Sequence, residues 1–199
     1  MSYVKTGLLI SIVMIILCGG IYPLIITGIG QTIFPYQANG SIVEVDGKKV
    51  GSEHIGQIYN SDKYFQGRLS SVVNYNISEN SEGIIASSGS KNLGPTSTEI
   101  KNRVTADVEA FIRKNPTVKK EEIASELLAQ SASGLDPHIT PKGAIIQVDR
   151  IAKETGIAAE SLKKLIKEST DGKFIGLYGS ERVNVLNLNI EIDKMLKSK

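Results

Sequence analysis

Charge is missing from the beginning of this chain. Between Thr6 and Val43 there is no Asp, Glu, Lys, Arg or His. Such a run excludes a solvated surface helix, which needs a polar face opposite its apolar stripe. Cysteine is nearly absent as well. Cys18 is the sole one, so an internal disulfide is excluded and the redox compartment cannot be read. Only two histidines exist, His54 and His138, and no cysteine is placed to join them on a metal. No G-x-x-x-x-G-K-S/T, no G-x-G-x-x-G after a strand, no H-E-x-x-H and no G-x-S-x-G occurs, which removes the familiar phosphate-loop, dinucleotide, zinc-protease and serine-hydrolase signatures. No repeat of the solenoid or propeller kind is present.

What fills the charge-free region is oily. Leu8–Ile26 is broken only by Ser11, Gly19, Gly20 and Pro23. At about 1.5 Å per residue, roughly 20 apolar residues match a hydrocarbon core of about 30 Å. The reading is one transmembrane helix over 7–29, after a short cytoplasmic N-terminus of 1–6 and before an extracytoplasmic α+β domain of 30–199. A cleaved signal peptide fits less well, because Leu24, Ile25 and Ile26 continue the run past the Gly19-Gly20 pair. Lipoprotein processing before Cys18 needs a small preceding residue, and Leu17 is large. A buried helix of a soluble protein is rarely so long. Lys5 and the terminal amine favour a cytoplasmic N-terminus. Pro23 frees a carbonyl that wants a partner, and Gly19, Gly20, Thr27 and Gly28 permit close approach of another helix.

After the span about 170 residues remain, enough for one core. With Lys5 alone among charged residues ahead of Glu44, the remainder holds 22 of the 23 basic and all 21 acidic residues. That balance argues against nucleic acid or anionic lipid as the main partner. Asp46-Gly47 between Ser41–Val45 and Lys49–Val50 predicts a hairpin. Ile55–Tyr59 and Tyr64–Phe65 suggest further strand, and 74–95 reads as a long polar loop. Thr96-x-x-Glu99 predicts a capping box for a helix ending at Asn115-Pro116. A short helix around Ile123, Leu127 and Leu128 follows. Thr140-Pro141 then opens a helix that Gly156 stops, with Ile145, Val148, Ile151 and Ala152 on its apolar face. A further helix carries Leu162, Leu165 and Ile166. Phe174–Tyr178 looks like a strand, and 183–196 a strand-like entry into a C-terminal helix.

Chemistry is sparse. Asp136-Pro137-His138 could offer a carboxylate and an imidazole to a metal or nucleophile, which leaves a membrane-anchored enzyme or binding module as the alternative reading. The proline favours extended backbone, so a turn held by the local hydrogen bonds of Asp136 and His138 is preferred. Gly83–Pro95 has the glycine and serine content of an anion-binding loop. Asn39-Gly-Ser41 and Asn76-Ile-Ser78 match the glycosylation sequon.

Ordered blocks along the whole chain carry a resemblance. They are Tyr22–Pro35 (Y-P-L-I-I-T-G-I-G-Q-T-I-F-P), Ala38–Ser41, Gly51-Ser52-x-x-Ile55-Gly56-Gln57 and Tyr64-Phe65-x-x-Arg68. Asn92–Pro95, Ser131–Pro141, Gln147-Val148-x-Arg150-Ile151-Ala152 and Arg182–Asn189 follow. In these the chain resembles KdpC, the C subunit of the bacterial potassium-transporting Kdp P-type ATPase. Leu69 stands where that family usually has proline, and Ser88-Gly89-Ser90-Lys91-Asn92-Leu93 departs from its S-G-G-S-N-L. The resemblance implies a non-catalytic accessory subunit in the plasma membrane. Its partners are a potassium-channel-like subunit and a P-type subunit that hydrolyses ATP, and its role is to assist assembly and raise ATP affinity. It implies ATP as a shared ligand, with Ser88, Gly89, Ser90, Lys91, Asn92 and Gln147 as candidate contacts. Gly20, Pro23, Gly28, Leu135, Asp136, Pro137, His138 and Asn184 are candidate structural or interface residues.

Overall fold

The charge-free start of the chain is helical as far as Ala38, with one break at Phe34. In the computed structural model, which describes residues 2–69, 88–94 and 96–198, α1 (Ser2–Ile16) runs through a π turn (Leu17–Ile21) into α2 (Tyr22–Ile33). The helix is therefore longer than the 7–29 span, and its length and apolar character suffice to cross a membrane. Neither α1 nor α2 has a buried residue. The π turn has a local cause. Pro23 cannot donate to the carbonyl four residues back, so the turn before it widens and the Tyr22 N–H bonds to Leu17 O. A methyl group added at Gly19, Gly20 or Gly28 would meet nothing within 4 Å. A four-residue helix, α3 (Pro35–Ala38), follows.

The chain divides into two compact units, Met1–Val43 and Glu44–Lys199. The division falls within β1 (Ile42–Val45), which pairs with β2 (Lys48–Ser52) in a two-stranded hairpin. Its turn is the expected one, with Asp46 at φ 52° and Gly47 at φ 74°.

In the second unit, α4 (Thr98–Lys114) and the helices α5 (Pro141–Ile145), α6 (Val148–Thr155), α7 (Ala159–Glu168) and α8 (Val185–Lys197) enclose the core. A small antiparallel sheet in the order β3-β5-β4 completes it, with β3 (His138–Ile139), β4 (Thr170–Asp171) and β5 (Arg182–Asn184). Ile139 stands opposite Val183, and Val183 opposite Thr170. Phe65, Ala144, Ile151, Leu162, Val183, Leu188 and Ile192 are among the fully enclosed residues. Thr140 caps α5 by accepting from the Gly143 N–H at 3.0 Å, and Gly156 ends α6 at φ 67°.

Several expectations are corrected. The N-cap of α4 is Ser97, without a side-chain cap bond; Glu99 instead accepts from Lys91 Nζ at 2.6 Å. Ile123, Leu127 and Leu128 lie on or beside two 3₁₀ turns, Lys120–Glu122 and Ser125–Leu127. The helix opened by Thr140 breaks at Ile146-Gln147, which leaves Ile145 exposed. Phe174–Tyr178 closes on itself as a tight turn with one bridge. Ile55–Tyr59 and Tyr64–Phe65 form no strand: the Ile55 and Gly56 N–H groups bond to the carbonyls of Ser52 and Leu135, and side chains take up the Tyr64 carbonyl and both backbone groups of Phe65. The expected loop 74–95 lies outside the described residues except for 88–94, which are irregular, and the sequon at Asn76 lies outside them too.

Candidate functional site

The irregular segment 53–69 is where the scattered sequence blocks meet. Asn189 on α8 reads both backbone groups of Phe65: its Oδ1 accepts from the Phe65 N–H at 2.8 Å and its Nδ2 donates to Phe65 O at 3.0 Å. Gln147, just before α6, does the same for Gln66, at 2.8 and 3.0 Å. An amide presents one donor and one acceptor side by side, so it can stand in for a neighbouring strand. This is why a segment of strand-like composition settles without a sheet.

Arg150 closes the arrangement. Its Nε donates to Asn115 Oδ1 at 3.0 Å, its Nη2 to Gln147 Oε1 at 2.8 Å, and its Nη1 to the carbonyls of Asp62 and, at 3.0 Å, Tyr64. Burial pulls this guanidinium below its ordinary value, while Asp62 and Glu154 hold it up. Tyr64 Oη donates to Asp193 Oδ1 at 2.7 Å, and Asn184 Nδ2 to Glu53 O at 2.8 Å. The Asn184 side chain also caps α8 by accepting from the Asn187 N–H.

Asp136 and Arg68 form the second cluster. Arg68 Nη1 donates to Asp136 Oδ2 at 2.7 Å, and the His138 backbone N–H to Asp136 Oδ1 at 3.0 Å. Both carboxylate oxygens are thus engaged. Burial pushes Asp136 up, but the His138 N–H and Arg68 outweigh it and hold the carboxyl below its usual value. His138 Nδ1 lies 3.5 Å from Asp136 Oδ1, and burial together with Arg182 lowers the imidazole despite that neighbour. The preceding residues are held as well, since Gly56 N–H donates to Leu135 O at 2.7 Å. Among the described residues no group of three or more His, Cys, Asp or Glu is placed to hold a metal ion.

Several of the residues singled out for ATP have partners within the fold. Ser88 Oγ and the Gly89 N–H both donate to Ser133 O, at 3.1 and 2.9 Å. Lys91 is committed to Glu99, so its charge is already matched. Gln147 is 0 % exposed, and its amide is used on Gln66, Gly143 and Arg150. A cleft of about 330 Å³ lies between α4 and the segment, lined by Tyr59, Arg68, Phe111 and Lys114 among others. Its cations are also paired, Arg68 with Asp136 and Lys114 with Asp62 at 3.2 Å. Burial pushes the Tyr59 phenol up to about 12.

The sequence reading did not single out Arg150, Asn189 or Asn115. A signal for the first two exists: Gln147 and Arg150 fall at i, i+3 beside Val148 and Ile151, and Asn189 falls between Leu188 and Ile192. A polar side chain on a core-facing helical position must find partners inside.

These ties join the same blocks that carried the resemblance, and comparison with known proteins explains the coincidence. The profile of the KdpC family, described as "K+-transporting ATPase, c chain", matches residues 4–194. The chain belongs to the KdpC family. A "Potassium-transporting ATPase KdpC subunit" of Clostridioides difficile strain 630 is 45 % identical over 207 residues, covering 98 % of this chain and 99 % of that protein. Its counterpart in Clostridium kluyveri is 45 % identical over 200 residues, at 97 % and 94 % coverage. That of Caldanaerobacter subterraneus subsp. tengcongensis is 42 % identical over 194 residues, at 98 % and 96 %. The KdpC match runs through the apolar helix and the α+β unit alike, so both belong to what the family shares.

Proposed function

We propose that the chain is the accessory, non-catalytic subunit of a potassium-transporting P-type ATPase complex in the bacterial plasma membrane. Its single helix inserts in the membrane, with 1–6 cytoplasmic, 7–29 in the span and 30–199 outside. It joins a channel-like subunit that carries the potassium path and a P-type subunit that hydrolyses ATP. The observation that carries this reading is the family match over 4–194, which takes in helix and domain as one unit and leads to relatives named as potassium-transporting ATPase subunits.

The chain assists assembly and raises the ATP affinity of the catalytic subunit by favouring one conformation of the pump. Any partner with differential affinity for two states can do this. Coupling without a nucleotide cradle in this chain agrees with the engagement of Gln147 inside the fold and of Lys91 with Glu99.

The test compares potassium-stimulated ATP hydrolysis by the complex purified with and without this chain, at low and saturating ATP. The expected result is a loss concentrated at low ATP when the chain is missing. Equal activity at every ATP concentration would overturn the affinity role. Topology is read by labelling Ser198→Cys in intact cells in a Cys18→Ser background; labelling only after permeabilisation would reverse the orientation.

A further inference from the structure

The most exposed large apolar side chains described in the second unit lie on one turn. Phe174, Ile175, Leu177 and Tyr178 are 73, 74, 76 and 69 % exposed, whereas the other two, Ile58 and Ile145, are 45 and 48 %. Isolated exposed apolar residues are ordinary; four within five residues are not.

The turn is built, not loose. β4 and β5 bring Asp171 opposite Arg182, with the two side chains 3.6 Å apart. Beyond them the Phe174 N–H donates to Tyr178 O at 2.8 Å and the Tyr178 N–H to Phe174 O at 3.0 Å. The Gly176 N–H donates to Lys173 O and the Leu177 N–H to Phe174 O, at 3.0 and 3.1 Å. Ile175 is thereby held at φ 53°, left-handed backbone that a β-branched residue rarely adopts. A fixed backbone carrying two aromatic and two aliphatic side chains has the make-up of an interface anchor, because little freedom is left to lose on binding.

Two observations decide what kind of surface receives it. Among the described residues, the Ile175 N–H and the carbonyls of Ile175, Gly176 and Leu177 make no hydrogen bond. Sinking the tip into lipid would leave these groups without partners, at a cost of several kcal/mol each. The flanking charges also cancel, since Asp171 and Glu181 offset Lys173 and Arg182, so anionic headgroups exert no net pull. A protein surface can supply what lipid cannot.

We propose that the turn 173–180 docks into an apolar pocket of a protein partner whose rim offers N–H or O–H donors to the carbonyls of Ile175, Gly176 and Leu177. The partner is another subunit of the potassium-transporting complex, and in this the inference rests on the function proposed above.

The experiment uses the full chain co-expressed with the other subunits and purified in detergent. Photo-reactive benzoylphenylalanine in place of Leu177 is expected to cross-link to one partner subunit. Phe174→Asp and Leu177→Asp, made separately, are expected to lower the amount of partner retained by about tenfold or more. The melting temperature of each variant should stay put, since neither side chain is buried. Cross-linking only to lipid, only to a second copy of this chain, or to nothing would overturn the proposal. So would full retention in both Asp variants when the wild-type chain brings the partners with it. If the wild-type chain brings none of these subunits, the assignment to the complex fails and the docking turn fails with it.

Discussion

The two units turn their apolar side chains in opposite directions. In Met1–Val43 the helices α1 and α2 have no buried residue, and the polar backbone is paired along the helix. In Glu44–Lys199 an apolar core is enclosed, with the turn at Phe174–Tyr178 as the main exception, and part of the backbone is paired with the amides of Gln147 and Asn189 and the guanidinium of Arg150. The first unit meets the demand of lipid, where each backbone group must be satisfied within its own segment. The second meets the demand of water, and can leave backbone irregular wherever a buried side chain takes its bonds. The difference teaches where each unit is vulnerable. The helix depends on what lies beside it, and the domain on a few internal polar residues.

The sharpest way to break that contrast is Arg150→Ala. It strips donors from Asn115 Oδ1, Gln147 Oε1 and the carbonyls of Asp62 and Tyr64. The expected loss is about 2–4 kcal/mol, because buried neutral acceptors lose their donor at about 1–3 kcal/mol each and some find another partner. Urea denaturation of the full chain in detergent, followed by tyrosine near-UV circular dichroism, reads it. A loss under about 1 kcal/mol would mean that water replaces the guanidinium readily and that Arg150 does not hold segment 53–69 in place.

Gly56→Ala comes next. A Cβ there would lie 2.7 Å from Asp136 O and 3.3 Å from Leu135 O, both backbone atoms that cannot swing away. Relief means pulling the segment off Leu135 and losing the 2.7 Å bond from the Gly56 N–H. We expect about 1–3 kcal/mol of destabilisation by the same measurement. Unchanged stability would show that the two backbones separate without cost.

Both sites also show how far the sequence could be read. Asp46-Gly47, Thr140-Pro141 and Gly156 were legible because each acts within its own turn: positive φ, a first-turn cap, a left-handed stop. Tyr64–Phe65 was not, because its partners Asp193 and Asn189 lie 129 and 124 residues away. Apolar composition alone cannot distinguish a segment paired with a strand from one paired with two amides. Phe174–Tyr178 misled for the same reason, since its bonds close on themselves and its side chains face outwards. At the Asp136 cluster the local half was visible, in the bond from the His138 N–H. The distant half, Arg68, was not.

The helix is tested by crowding it. Gly20→Leu with Gly28→Leu keeps the segment long and apolar, so insertion should survive. The faces at these glycines, open in the structure, should then repel a close neighbour. Co-purification with the ATPase subunits in detergent should fall by about tenfold, the scale of one or two kcal/mol of helix association. Tyrosine circular dichroism of the second unit should not change. Full retention of the complex and of low-ATP activity would reduce the helix to an anchor.

The smallest effect expected is a pH dependence confined to the second unit. His138 sits on β3 opposite Asn184, with Arg182 from β5, Asp171 from β4 and Asp136 beside it. Burial first, and then Arg182, favour the neutral imidazole; Asp136 and Asp171 oppose them, and the net shift is downward from 6.5. Below 6.5 the unfolded chain therefore takes up a proton that the folded chain resists. The stabilisation is complete above 6.5 and fades as pH falls through the folded value. Asp136 acts in a separate window, because its carboxyl is held below 3.8: its contribution is present above that value and is lost as pH falls further. His138→Gln leaves the backbone bond to Asp136 in place and removes only the upper window. Between about pH 7 and 5 the wild-type chain should lose a small part of its stability, kept small because the ring is still partly exposed to solvent screening. The variant should lose measurably less, while both keep the steeper decline at lower pH. His54 is common to the two proteins, so the difference between their urea midpoints isolates His138. A variant whose midpoint falls as steeply as the wild type over that interval would place the sensitivity elsewhere.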